Sequence, residues 1–181
     1  MSFAIVGGLA VSARTEPRFT RDADIAVAVA SDSEAEDLVR GLRVRGYFIE
    51  ALVEQAAVGR LATARLTRSR ESASPVVDLL FASSGIEGEI VAEAEMIELL
   101  PGLRIRVASA AHLIALKVLA RDDVTRPQDL GDLRALLRGA SVIDIERARA
   151  ALTLITQRGY HRGRDLHAEL ETLLIAQRSG R

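Results

Sequence analysis

Apolar positions follow one rhythm up to about Val107 and another after it. In the first part they come in short runs, some alternating and some continuous, separated by Gly, Pro, Ser and Asp. From Ser109 they recur every three or four residues. The first rhythm predicts strands and the second predicts helices. Phe3 to Val6 predicts a strand that stops at Gly7-Gly8. Leu9 to Arg14 predicts a turn or two of helix, broken at Pro17. Asp22 to Val29 predicts a second strand, with Asp22, Asp24, Ala26 and Ala28 on one face. Ala23, Ile25, Val27 and Val29 take the other face as core. Ser33 with Glu36 three residues on predicts a capped helix to about Arg45, closed by Gly46.

Tyr47 to Val53 and Leu61 to Thr67 predict two more strands, and Ser69 to Pro75 a loop. VVDLLFA, Val76 to Ala82, has the composition of a strand buried on both faces. Ile86 to Glu95 predicts a short helix. Met96 to Leu100 and Leu103 to Val107 predict a hairpin over Pro101-Gly102. Ser109 is the expected cap of a helix through Arg121, and Pro127 opens the next, which stops at Gly139. Asp144 is the expected cap of a third, ending near Gly159. Asp165 caps a fourth, which carries Leu166, Leu170, Leu173 and Leu174. The expected organisation is a mixed α/β core over 1–108 and a helical segment over 109–181 packed on it, with no linker between.

Composition narrows the class. The 181 residues are 49% hydrophobic and 27% charged, enough to bury a real core. Aromatics make up 3% with no Trp, which argues against a base-stacking platform. The net charge of -1 argues against a generally basic nucleic-acid coat. The absence of Cys excludes disulfides, a thiolate nucleophile and Cys-type zinc sites. The His residues match no zinc spacing. With no signal segment and no apolar run of membrane-spanning length, a soluble cytoplasmic protein is expected.

The candidate chemistry centres on Phe3 to Val29. A glycine pair after a strand forms a turn that a phosphate can approach closely. Two carboxylates at i and i+2 on a strand, Asp22 and Asp24, share a face. Phosphate cradle plus paired carboxylates is what a magnesium–nucleotide site needs. Asp78, alone inside VVDLLF, would supply a third carboxylate from a neighbouring strand, or is satisfied by an Arg or by backbone N–H groups. Arg14, Arg18, Thr20 and Arg21 lie between the glycines and the carboxylates. There they contact phosphate oxygens, or form a solvated loop whose arginines pair with Asp22 or Glu16. Lys117 snorkels from an apolar helix or reaches a triphosphate. Asp129 and Asp132 suit the first turn of their helix by the dipole alone, and Asp129 could also orient Lys117. Arg158, His161, Arg162 and Arg164 read first as a solvated turn. Together with Arg65, Arg68 and Arg70 they are where an RNA contact would be sought.

VGGLAVSAR, RFTRDADIAV, VVDLLF, VASAAHLIALKVLA and RPQDLGDL, in that order, resemble the AbiEii/AbiGii toxin-like nucleotidyltransferases of the DNA polymerase β-like superfamily. The resemblance covers Phe3 to about Leu137. Its most specific piece is the Arg-x-Thr-x-Asp-x-Asp form, Arg18 to Asp24. It implies a nucleotidyltransferase fold: a small mixed twisted sheet flanked by helices, with a C-terminal helical segment. It implies that Gly7 and Gly8 hold nucleotide phosphates; Lys117 joins them as a candidate nucleotide contact, as do Arg14 and Thr20 by their place beside the glycines. Asp22 and Asp24 would hold Mg²⁺ with Asp78, and Lys117 and Asp129 fall on the family's helical lysine and last acidic motif. The implied activity moves a nucleoside monophosphate from an NTP to an acceptor hydroxyl, in some toxins at the acceptor end of tRNA. The implied protein partner is a cognate antitoxin. The first strand begins almost at Met1, where many relatives have a preceding helix. Gln128 stands where relatives carry a basic residue. Two other readings stay open: a non-catalytic antitoxin or regulatory protein, and an aminoglycoside-type nucleotidyltransferase using Glu87, Glu89 and Glu93 for a cationic substrate.

Overall fold

The computed structural model describes residues 1–69, 74–122 and 127–179. The elements in chain order are β1 (Phe3–Val6), α1 (Gly7–Arg14), β2 (Asp22–Val27), α2 (Asp32–Val44), β3 (Phe48–Gln55), β4 (Arg60–Thr67) and β5 (Val76–Leu80). They continue with α3 (Glu87–Ala92), β6 (Glu95–Leu100), β7 (Leu103–Val107), α4 (Ala110–Ala120), α5 (Pro127–Gly139), α6 (Val142–Gln157) and α7 (Leu166–Ser179). The strands form one mixed sheet in the order β3-β4-β5-β2-β1-β7-β6. β2 runs parallel to β5 and β1 parallel to β7, while the other neighbours are antiparallel. No helix among the described residues is long and apolar enough to cross a membrane.

Alternation along the strands divides the interior in two. Ala26 and Leu80 join the larger core, which runs from β1 and α1 through α3 and β7 to α4, α5, α6 and α7. Their neighbours Val27 and Leu79 turn to a smaller core under α2, with Ala64 and Leu66 of β4. The larger core is continuous across residue 108, joining Ala4, Val107, Leu113, Leu152 and Leu170. The β3-β4-β5 part of the sheet is thus covered by α2 on one face. On the other, Ala51, Val53, Thr63, Arg65, Asp78 and Leu80 border an open cleft.

The elements differ from the sequence expectation mainly at their ends. β2 stops at Val27, not Val29, because β1 runs out: Phe3 is the partner of Val27. Its buried residues also lie on both faces, with Ala26 fully covered and Val27 nearly so. β5 ends at Leu80 instead of Ala82, and α3 ends at Ala92 because Glu95 already pairs with Val107. The cap of α2 is Ser31, not Ser33. Its hydroxyl accepts from the Glu34 N–H at 3.3 Å, and the Glu34 carboxylate accepts from the Ala30 N–H at 2.8 Å. The cap of α6 is Ser141 instead of Asp144, in a reciprocal capping box whose third helical residue is Asp144. Ser109 and Asp165 cap α4 and α7 as expected.

Candidate active site

The site starts where β1 turns into α1. β1 places Val6 opposite Asp24 of β2. The next residue, Gly7, has φ +61°, and a Cβ on it would lie 1.8 Å from Asp24 Oδ2. Only glycine allows this backbone to pass against that carboxylate. Gly8 is as tightly fitted, since a Cβ there would meet Arg18 Nη2 at 2.9 Å and Thr20 Oγ1 at 3.0 Å. The Gly8 N–H donates to Asp24, and the Thr20 hydroxyl donates to the Asp22 carbonyl at 3.3 Å.

Strand register sets Asp24 directly beside Asp78 of β5, and Asp78 beside Arg65 of β4. Arg65 holds Asp78 through two hydrogen bonds, Nε to Oδ1 at 2.9 Å and Nη2 to Oδ2 at 2.6 Å. That pairing explains how a lone carboxylate sits inside an apolar strand, and it raises the Arg65 pKa. The Asp24 carboxyl is pushed above its ordinary range by burial first and then by the Asp78 charge, with Asp22 adding to the effect and Lys117 opposing it.

Lys117, on α4, lies across the cleft from this row. Its ammonium donates to Asp129 Oδ1 at 2.5 Å and lies 2.8 Å from Asp132 Oδ2. Asp132 also accepts two 2.7 Å hydrogen bonds from Arg18. Burial works to raise the Asp132 carboxyl, but the bonds from Arg18 and Lys117 outweigh it and leave it below its ordinary value. Asp129 is buried, and its Oδ2 has no hydrogen-bond partner. Sequence reasoning names Arg18 and Asp132 but misses their pairing: it puts Arg18 on phosphate, Asp22 or Glu16, and Asp132 only on the helix dipole. The three-residue spacing of Asp129 and Asp132, which puts both on one helix face, was its signal.

Gly7, Asp24, Asp78, Lys117 and Asp129 therefore line one cleft of about 830 Å³. Asp22 lies one strand step outside that lining, close enough for its charge to act on Asp24. Arg14 is elsewhere: its guanidinium donates to the Ala108 carbonyl at 2.6 Å and to Glu95 at 3.1 Å, tying α1 to the end of β7. Glu87, Glu89 and Glu93 do not line the cleft. Glu87 is buried and accepts four hydrogen bonds from Ser83 and Ser84, and Glu89 pairs with Arg158. Arg70 lies outside the described residues.

The donors suit Mg²⁺ in kind, being all oxygen, and a divalent cation beside Asp24 would offset the Asp78 and Asp22 charges that push its carboxyl up. Asp22 and Asp24 are the pair that would hold it. Among the described residues no three His, Asp or Glu side chains are arranged to hold a metal. Both Asp78 oxygens are turned onto Arg65.

Comparison with known proteins bears on the fold and on the family. Among solved structures, the antibiotic-resistance factor ANT(2'')-Ia is similar with a TM-score of 0.53 at 17% identity, covering 94% of this chain and 86% of that one. JHP933 from Helicobacter pylori is similar at 0.49 and 15%, covering 98% and 83%. The first likeness shows the fold. No curated protein matches the chain. The family model described as nucleotidyl transferase AbiEii toxin, type IV toxin–antitoxin system, matches residues 1–179, and the chain belongs to that family of nucleotidyltransferases.

Proposed function

We propose that this nucleotidyltransferase moves a nucleoside monophosphate from an NTP to an acceptor hydroxyl on RNA, with tRNA the first candidate, and releases pyrophosphate. It would act in the cytoplasm as the toxin of a pair with a cognate antitoxin. The observation that carries the reading is the approach of Gly7 to Asp24, which puts a tight glycine turn and a half-buried carboxylate in one place. Asp22 and Asp24 would hold Mg²⁺, which neutralises triphosphate charge when bound. The Gly7-Gly8 turn is where the phosphates would approach the backbone, the Gly8 N–H staying on Asp24. Lys117, set by Asp129 and Asp132, supplies the cation that faces the triphosphate. Asp78 receives the proton of the attacking hydroxyl, with Arg65 holding its carboxylate beside Asp24.

Titration calorimetry with Mg²⁺ and each NTP, on wild type and on the Asp22→Asn/Asp24→Asn double variant, tests the binding step. Binding by the wild type alone is expected, and identical binding by the double variant refutes the assignment. Radiolabelled NTP incubated with total RNA and lysate then identifies the acceptor by which species becomes labelled. Label on protein or on small molecules only would refute the RNA acceptor.

A further inference from the structure

We propose that Arg162, on the loop between α6 and α7, is a phosphate-binding residue of the cleft, acting on the polyphosphate of the NTP or on a backbone phosphate of the acceptor. The inference rests on the nucleotidyl-transfer reading above. Arg162 lines the same cleft as Asp24, Asp78 and Lys117 but comes from the opposite end of the chain.

Three observations support it. First, among the described residues Arg162 is the one non-glycine residue with a positive φ, at 56°. Arginine has no local reason to adopt the left-handed region, which costs it about 1–2 kcal/mol. Such conformations persist where the surroundings enforce them, and they concentrate at functional sites. The adjacent His161 carries a second cost, since its buried Nδ1 has no hydrogen-bond partner.

Second, the enforcing surroundings are visible. Arg158, before the loop, donates to the Gly85 carbonyl and to both Glu89 oxygens. Arg164, after it, donates to the Leu119 carbonyl at 2.9 Å and the Val118 carbonyl at 3.1 Å, and pairs with Glu169. Tyr160 packs so closely on Gly85 that a Cβ there would fall 2.5 Å from its ring. Two arginines and a tyrosine thus fasten the loop to the end of α4 and to the turn after β5, with Arg162 between them on the cleft wall.

Third, the chemistry suits it. The substrates of a nucleotidyl transfer carry several phosphates, and arginine, here from a residue that lines the cleft, is the side chain suited to bind phosphate through two parallel N–H donors.

The test uses the full chain with Arg162→Asn and Arg162→Lys. Asn tolerates the left-handed region, so the first variant removes the charge without a backbone penalty. The second keeps the charge. Binding of each NTP, and separately of a short RNA oligonucleotide with a free 3′ hydroxyl, is measured across salt concentrations, with the thermal midpoint as a folding check. The expected result is about tenfold weaker binding of at least one ligand by Arg162→Asn, with a shallower salt dependence and an unchanged or higher midpoint. Arg162→Lys should retain most of the affinity. Loss with the NTP alone assigns the triphosphate, and loss with the RNA alone assigns the acceptor. Binding by Arg162→Asn within twofold of wild type for both ligands overturns the proposal and leaves the nucleotidyl-transfer reading intact. Failure of the wild type to bind any NTP sinks both.

Discussion

Replacing Gly7 by Ala strikes the point where fold and chemistry meet. The added Cβ would begin 1.8 Å from Asp24 Oδ2, 2.5 Å from its Cγ and 2.8 Å from its Cβ, whereas real Cβ atoms essentially never come closer than 3.0 Å. Asp24 cannot swing away cheaply, because the clash reaches its own Cβ and the strand is pinned between β1 and β5. Either the carboxylate or the β1–α1 turn must retreat by more than an ångström. The left-handed backbone at Gly7 adds about 1–2 kcal/mol for any residue with a side chain. For a chain of this size that corresponds to roughly 2–8 °C in the thermal midpoint. If the proposed site is the reacting centre, the larger effect should be on catalysis, since a displacement of this size there costs on the order of 100-fold. Gly41→Ala is the control. Gly41 is in α2, a Cβ there meets nothing within 4 Å, and the change should stabilise by roughly 1 kcal/mol through helix propensity. Thermal denaturation and nucleotide transfer are measured on both variants. Gly7→Ala with wild-type midpoint and transfer within threefold of wild type would refute the claim that this backbone must pass against Asp24.

Three further outcomes are expected. Asp24 has a folded-state pKa raised above 3.8 by burial and Asp78, so the folded chain binds this proton more tightly than the unfolded chain. Its contribution to stability is therefore lost as pH rises from about 4 through the raised value. Asp24→Asn should be more stable than wild type at neutral pH by a margin that shrinks towards pH 4, and added Mg²⁺ should raise the midpoint of the wild type only. A pH-independent margin would contradict this. Asp132→Ala removes a carboxylate whose side chain is 4% exposed and leaves Arg18 and part of the Lys117 contact unmatched. About 2–3 kcal/mol should be lost in urea denaturation, short of the full value for a buried pair because Arg18 is 36% exposed; a loss below about 1 kcal/mol would show that the network is not holding α5. Ser141→Ala deletes the hydroxyl half of the α6 capping box and should cost about 1 kcal/mol without changing nucleotide binding. An altered nucleotide affinity would mean that α6 is coupled to the cleft.

The half of the site that sequence reveals is the half built by local geometry. Gly7-Gly8 after an apolar run, carboxylates at i and i+2, and one carboxylate inside VVDLLF are all legible because strand alternation assigns each to a face without knowledge of the fold. Their assembly follows from register, with Asp24 beside Asp78. Other contacts depend on residues far apart in the chain. Arg18 reaches Asp132 across 114 positions, and Arg14 reaches the Ala108 carbonyl across 94. Nothing near Arg14 in sequence says that it will anchor β7. The same limit applies to capping, where Ser31 and Ser33 compete on nearly equal terms. The choice falls to Ser31 because Asp32 is drawn to Arg60 and the Leu61 N–H of β4.

The cleft's position follows from where helices run out. On the larger-core face, α1 and the C-terminal helices cover β1, β7 and the end of β2. β3, β4 and β5 up to Leu79 receive α2 on the opposite face, and only Leu80 at the end of β5 reaches the larger core. Small residues allow this division, with fully covered Ala4, Ala26 and Ala64 letting the layers close on few aromatic side chains, Tyr160 in the larger core and Phe81 in the smaller. On the uncovered face, alternation then brings out Thr63, Arg65 and Asp78, the residues whose strand neighbours Ala64, Leu66 and Leu79 are buried beneath α2. A bulkier helical layer there would desolvate Asp78 and Arg65 further while filling the space that a nucleotide needs. The open half-sheet is thus a requirement of the chemistry, and the alternation that creates it is written in LATARL and VVDLL.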